Sequence, residues 1–148
     1  MTAPTTKLAE FVSTLDLSDI PPTTIELVTQ HSLDTIAGYF AGCHVQEALT
    51  VCQLLPKTTA CWAGRAAMLA RAAESDPIHS NTTICAGAVA ITAMLGTARE
   101  LAVDGPTAVC AIIAGYETSI RIGAALGSSR LLSQGWWPTA ICGGAGAA

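Results

Sequence analysis

Asp76 and His79 stand three residues apart around Pro77, in a polar segment that runs from 75 to 82. A carboxylate and an imidazole at that spacing on a loop could form a pair that moves protons during catalysis. The alternative is structural, because an aspartate in a solvated loop often caps the first turn of a helix. We take Asp76 and His79 as the candidate catalytic residues.

Three aromatic side chains, those of Tyr116, Trp136 and Trp137, are candidates for binding a ligand. Their rings could line a cleft for an apolar or conjugated molecule, and their polar ends could donate hydrogen bonds. The same rings could instead fill the core or an interface. Glu117 and Arg121 are four residues apart, a spacing that predicts an ion pair on a helix surface rather than chemistry.

The composition limits the kinds of protein that this chain can form. It has 148 residues, of which 51% are hydrophobic and 12% charged, with a formal net charge of -4. High hydrophobicity with little charge excludes a disordered chain, and the length predicts one domain. The acidic balance leaves no basic face, so we expect no nucleic-acid partner. Aromatic residues make up only 5%, so the core must consist of small and aliphatic side chains, which favours helices packed on helices.

The cysteines and the apolar segments bear on cofactors and location. Neighbouring cysteines are at least nine residues apart, whereas structural zinc sites use close pairs, so we predict neither a metal nor another cofactor. The N-terminus shows no secretory signal, which favours reduced thiols in a cytoplasmic protein. Residues 80–98 are uncharged over the length of a membrane span. They begin with polar residues and lack flanking basic clusters, so we expect a buried helix and no membrane.

Apolar periodicity and helix-breaking residues predict six helices and a final apolar segment. Thr5 or Thr6 is the predicted cap of the first helix. The helix is indicated by apolar side chains that fall on one face, namely Leu8, Phe11, Val12 and Leu15. Thr23 and Glu26 have the spacing of a capping box at the start of the second, which runs to about Gly42. The other helices are predicted at 44–55, 59–74, 83–103 and 106–126, before a loop at 127–137 and a segment opened by Pro138. The predicted fold class is all-α, a compact multi-helix domain.

Several segments, in order along the chain, together resemble the MmgE/PrpD family. The matching motifs are LAEFV at 8–12, DIP at 19–21, LDTIAG at 33–38, DG at 104–105, AGYE at 114–117, IRIG at 120–123, GWWPT at 135–139 and CG at 142–143. The family includes 2-methylcitrate dehydratase and cis-aconitate decarboxylase. The resemblance implies a single helical domain over 1–148, the N-terminal part of the family's helical lobe, and we expect the family's second α+β lobe to be absent.

The resemblance also implies partners. Family members dimerise through their helical lobes, which implies a homodimer. The last residues, 142–148, are small, apolar and uncharged. We therefore expect either that a second chain docks at the C-terminal helix or that the sequence is a fragment.

The resemblance assigns site residues, and the sequence departs from the family pattern at some of them. Asp76 matches an aspartate of the family, and Pro77 replaces the next one. Ile84 stands where a family histidine is expected, and Trp137 replaces a second histidine in the motif Gly-Phe-His-Pro-Thr. Isoleucine and tryptophan neither transfer protons nor hold carboxylates, so we expect loss of the dehydratase reaction and a pocket for apolar ligands. The substrate-binding candidates are Trp136, Trp137, Tyr116, Ile84 and Thr83.

These features favour a repurposed enzyme. It would bind an apolar, unsaturated small molecule and promote a cyclisation, isomerisation or pericyclic step by orientation and hydrogen bonding. One alternative is the helical subunit of a split 2-methylcitrate dehydratase-like lyase that acts on carboxylic acids. Another is a non-catalytic binding or interaction protein.

Overall fold

The structure, a computed structural model, describes residues 3–148 except for the side chains at positions 59 and 60. Within these residues the chain forms eight α-helices and no strand, which confirms the all-α prediction. One 3-10 turn, Leu17–Asp19, follows the first helix. The helices are α1 (Pro4–Thr14), α2 (Pro22–Gly42), α3 (Gln46–Leu54), α4 (Thr59–Ala72), α5 (Ala86–Ala98), α6 (Gly105–Leu126), α7 (Ser128–Ser133) and α8 (Pro138–Ala147).

Proline opens three of these helices. Pro4, Pro22 and Pro138 occupy the first helical position of α1, α2 and α8, where the N–H that proline lacks would have no partner in the helix. The predicted cap at Thr5 or Thr6 is wrong, because α1 begins before it at Pro4 and has no side-chain cap. The capping box of Thr23 and Glu26 is also wrong, since Pro22 starts α2 one residue before Thr23.

Backbone geometry shortens the fifth predicted helix. It begins at Ala86 rather than at 83, because Thr83 has a left-handed backbone with φ 52°. A short bridge closes this segment, in which the His79 amide donates to the Ile84 carbonyl at 2.9 Å. At the other end the helix stops at Ala98 rather than at 103. The loop predicted at 127–137 contains α7, which follows the left-handed Gly127.

Helix α5 is the centre of the fold. It packs against α2, α4, α6 and α8 and is buried on several faces, as the sequence of 80–98 predicted. Its buried residues are small, with Ile91 the largest of them. Helix α6 is the one helix of the described chain that is long and apolar enough to cross a membrane by length and composition alone. It packs on α5 and α8 and carries the predicted ion pair of Glu117 and Arg121.

Two glycines bring α2 against α4. Gly38 and Gly42 are four residues apart on one face of α2 and are buried there. A Cβ atom at Gly38 would lie 2.9 Å from the Ala70 carbonyl oxygen, and one at Gly42 would overlap the Leu69 carbonyl. Since the obstacle is backbone in both cases, no side-chain movement could make room. The position of α4 therefore depends on the absence of side chains at these two residues.

We predict that Gly42→Ala destabilises the domain by about 1–3 kcal/mol, because the added methyl group forces α2 away from α4. The matched control is Gly64→Ala on α4, where a Cβ atom meets nothing within 4 Å. Alanine is the better helix former, so this control should add up to about 1 kcal/mol. Urea denaturation of both variants measures the difference. Equal stability of the two variants would contradict the predicted close contact.

Candidate small-molecule site

A partly buried ion pair joins α4 to the segment before α5. The side chain of Asp76 is 1% exposed, and its Oδ1 accepts a hydrogen bond from Arg71 Nη1 at 3.0 Å. Arg71 lies in the last turn of α4. Its Nη2 also donates a hydrogen bond to Glu74 at 2.9 Å, and the side chain of Glu74 is 77% exposed. The arginine is thus paired with two carboxylates, one buried and one in solvent.

The two candidate catalytic residues are held by different partners. Asp76 is bound to Arg71, whereas His79 Nδ1 lies 2.8 Å from the hydroxyl of Thr82. Within the described residues no hydrogen bond or ion pair connects Asp76 with His79. The structure therefore does not assemble the proton-transfer pair that their spacing suggested. The catalytic roles of the two residues stay predictions.

Trp137 and Arg71 form one wall of a cavity. The guanidinium carbon of Arg71 lies 5.9 Å from the centroid of the Trp137 ring, a cation–π arrangement. The cavity has a volume of about 470 Å³ and lies between the end of α4 and the starts of α5 and α8. Most of its other walls are apolar, formed by Ala67, Met68, Ala72, Ala88, Val89 and Ala140.

Cys85 and Thr139 supply polar groups to the same cavity. The Thr139 hydroxyl accepts a hydrogen bond from the Cys85 amide at 3.0 Å, which connects the starts of α8 and α5. Burial, and after it the negative charge of Asp76, raises the pKa of the Cys85 thiol. The thiol is therefore protonated at neutral pH, so it can donate a weak hydrogen bond but is a poor nucleophile.

The charge on Arg71 is firmly maintained. Burial opposes it, but the hydrogen bond to Glu74 and the neighbouring negative groups outweigh burial and raise the pKa of Arg71. Arg71 is the one cation and Glu74 the one anion among the cavity walls, with Asp76 directly bound to the arginine. The positive charge is therefore already compensated before a ligand enters.

Tyr116 lies in the core, next to α5. Its hydroxyl and that of Thr35 would lie 2.8 Å and 2.9 Å from a Cβ atom placed at Gly87. Both hydroxyl oxygens and Asp76 Oδ2 are buried without a hydrogen-bond partner among the described residues. Burial, and then the charges of Asp76 and Asp34, raises the pKa of Tyr116. The half-buried ring stacks on His31 of α2, with centroids 5.7 Å apart.

The remaining binding candidates do not line the cavity. Trp136 is 60% exposed, and the cavity walls do not include it. Ile84 is fully buried in a core cluster with Ala86 and Cys142, because the tight loop turns its side chain inwards. Thr83 donates its hydroxyl hydrogen to the carbonyl of Thr82 at 2.7 Å. Trp137 is thus the one substrate-binding candidate that the structure places on the cavity.

Sequence reasoning missed three residues of this site, namely Arg71, Cys85 and Thr139. Arg71 is the second of two arginines in the alanine-rich helix α4 and stands five residues before Asp76, a spacing that could have indicated a pair between them. Cys85 and Thr139 are 54 residues apart, and no local pattern connects them. All six cysteines are unpaired thiols, of which Cys85 and Cys142 are buried.

Comparison with known proteins gives a family and a small number of relatives. The chain matches the MmgE/PrpD N-terminal domain over residues 6–148. A cis-aconitate decarboxylase-like protein (oryM) of Aspergillus oryzae is 28% identical over 167 aligned residues, which cover 97% of this chain and 35% of that protein. Cis-aconitate decarboxylase of Aspergillus terreus is 27% identical over 160 residues, which cover 94% of this chain and 33% of that enzyme. The chain spans about a third of the length of these relatives. No solved structure matches it significantly.

We predict that Asp76→Asn costs about 3 kcal/mol of stability, because it removes the charge of a buried partner and leaves Arg71 poorly compensated. Glu74→Gln is the matched control, since Glu74 pairs with the same guanidinium from solvent. Its cost should stay below about 1 kcal/mol. Chemical denaturation at neutral pH measures both. A small and equal effect of the two substitutions would show that the buried pair is not formed.

Tyr116→Phe should change how stability depends on alkaline pH. The folded state raises the pKa of Tyr116, whereas an unfolded tyrosine ionises near pH 10. Unfolding above that pH releases a proton, so this group lowers stability by about 1.4 kcal/mol per pH unit as pH rises. The variant lacks this contribution, and its unfolding free energy should fall less steeply between about pH 9 and 11. Parallel pH profiles would contradict burial of an ionisable hydroxyl.

Proposed function

Because the chain belongs to the MmgE/PrpD family, we propose that it uses the helical domain of that family to bind a neutral, unsaturated small molecule in the Arg71–Trp137 cavity. The observation that supports this most directly is the double pairing of Arg71 with Asp76 and Glu74, at 3.0 Å and 2.9 Å. The relatives named above are a cis-aconitate decarboxylase and a protein like it. Cis-aconitate carries three carboxylates, so the charge of the cavity decides whether such a substrate fits.

Electrostatics disfavour a polycarboxylate in this cavity. One positive and two negative side chains meet there, in Arg71, Glu74 and Asp76. The starts of α5 and α8 each contribute about half a positive charge, and the end of α4 about half a negative one. The net charge around the cavity is therefore neutral or slightly negative. A polyanion would lose its hydration without gaining an uncompensated cation, which is an unfavourable exchange.

The same walls suit a neutral conjugated carbonyl compound. The apolar side chains of α4 and α5 and the face of Trp137 cover a flat hydrocarbon skeleton. The hydroxyl of Thr139, the protonated thiol of Cys85 and the indole N–H of Trp137 are hydrogen-bond donors. The Thr139 hydroxyl accepts from the Cys85 amide, and its own hydrogen would turn from the Cys85 sulfur to a carbonyl oxygen of the ligand.

Such a cavity would act mainly by orientation. A unimolecular cyclisation, isomerisation or pericyclic step needs its reacting atoms close and aligned, and alignment alone supplies about 7–11 kcal/mol in favourable cases. A hydrogen bond to the carbonyl polarises the conjugated system at the same time. No external acid is needed for this step, so the cavity could promote it without a pair between Asp76 and His79. The cytoplasmic location and the homodimer stay predictions.

A second candidate function rests on the length of the chain relative to its relatives. Since it spans about a third of them, the cavity could be one face of a lyase site for carboxylic acids, with cations supplied by another part of the protein or by a second chain. In that case His79 and Asp76 would regain the acid–base roles that their residue types allow. A binding protein without turnover is the third outcome.

Ligand-induced thermal shifts should separate these functions. Methyl cinnamate, a neutral conjugated ester, should raise the Tm by about 5–10 °C at 100 times its Kd, whereas citrate and cis-aconitate should not. Trp137→Ala should abolish the shift, and the matched control Trp136→Ala, on the exposed neighbour, should retain it. Stabilisation by the tricarboxylates instead would favour the lyase. A shift without any turnover of conjugated substrates would favour a binding protein.

Glu74→Gln offers an independent test of the charge argument. The substitution replaces the carboxylate at Arg71 Nη2 by a neutral amide and removes one negative charge from the cavity, so binding of cis-aconitate should appear or strengthen by about tenfold, the effect of one charge-assisted hydrogen bond. Isothermal titration of wild type and variant measures it. If cis-aconitate binds both proteins equally, the compensated arginine does not control ligand charge.

A further inference from the structure

Three arginines of the described chain lie over aromatic rings, and one of them differs from the other two. Arg71 over Trp137 is paired with Asp76 and Glu74, and Arg121 over Phe11 is paired with Glu117. Arg99 lies 4.8 Å from the centroid of Trp62. Within the described residues it forms no ion pair. The guanidinium of Arg99 is therefore attracted to the face of the Trp62 ring, but no carboxylate among the described residues neutralises its charge.

Arg99 and Trp62 belong to a second cavity, between α2, α4 and α5, with a volume of about 270 Å³. Tyr39 and Phe40 add two more aromatic rings, which meet edge to face with centroids 5.4 Å apart. Phe40 is exposed and Trp62 is half-buried, so the cavity opens to solvent. Arg99 is the one charged residue among its walls.

We propose that this second cavity binds a planar aryl or conjugated monocarboxylate. The rings of Trp62, Tyr39 and Phe40 would cover the flat apolar part, and Arg99 would hold the carboxylate. A guanidinium matches a carboxylate in a bidentate geometry, and here nothing else competes for it. The site is distinct from the Arg71–Trp137 cavity, whose only cation is already neutralised.

The ligand proposed for the second cavity carries one negative charge, whereas the ligand proposed for the first cavity is neutral. A pair of compounds that differ only in this charge can therefore distinguish the two sites. Cinnamate and its neutral methyl ester share a skeleton and differ in the carboxylate. Isothermal titration with the full chain should show saturable binding of cinnamate at a site that Arg99→Gln weakens by about tenfold or more. Arg130→Gln, an exposed arginine on α7 without an ion pair among the described residues, is the matched control and should leave the Kd unchanged.

Each result supports or overturns the proposal separately from the proposed function. Loss of cinnamate binding in Arg99→Gln together with its retention in Trp137→Ala supports the second cavity. Arg99→Gln should leave methyl cinnamate binding unchanged. Absence of saturable cinnamate binding overturns the proposal. Equal weakening by Arg99→Gln and Arg130→Gln, or loss in Trp137→Ala, also overturns it, because binding would then be a general charge effect or would occur in the first cavity.

Discussion

The ion pair between Arg71 and Asp76 joins three parts of the chain whose arrangement makes the first cavity. It fixes the segment after α4 against the last turn of that helix, and this segment leads through the loop at 79–84 into α5. The other face of the guanidinium lies against Trp137, at the start of α8. One buried charge pair thus sets both the shape of the cavity and its electrical neutrality. Such a pair is costly to desolvate, so its geometry must be well supported by its surroundings.

That support comes from helices packed through small residues. Gly38 and Gly42 let α2 approach the backbone of α4, and α5 is lined by alanine and glycine on its buried faces. Close approach without large side chains gives a rigid frame, because neither helix can shift without steric overlap. The ends of α4, α5 and α8 are therefore held near one another, and the side chains at those ends form the cavity. Both cavities share α4 and α5 and lie beside different neighbours of these helices.

Much of the fold could be predicted from the sequence, because proline, glycine and apolar spacing act locally. Pro138 and Gly127 marked helix ends that the structure confirms. The tight loop before α5 was missed, since threonine is rarely left-handed and no pattern predicts Thr83 in that conformation. The site was predicted only in part. Trp137 lines a cavity, and its role in binding stays a prediction. The partner of Asp76 depends on where a helix ends in space, and spacing alone suggested His79 instead of Arg71.

The net charge of the first cavity decides which ligands it binds, and a crystal structure of the protein grown with both methyl cinnamate and citrate would show the choice. We expect electron density for the ester against Trp137, with its carbonyl oxygen within hydrogen-bonding distance of Thr139 and the Arg71–Asp76 pair intact. Citrate bound to Arg71, with Asp76 or Glu74 displaced from the guanidinium, would contradict it. That result would favour the second candidate function, a lyase that acts on carboxylic acids.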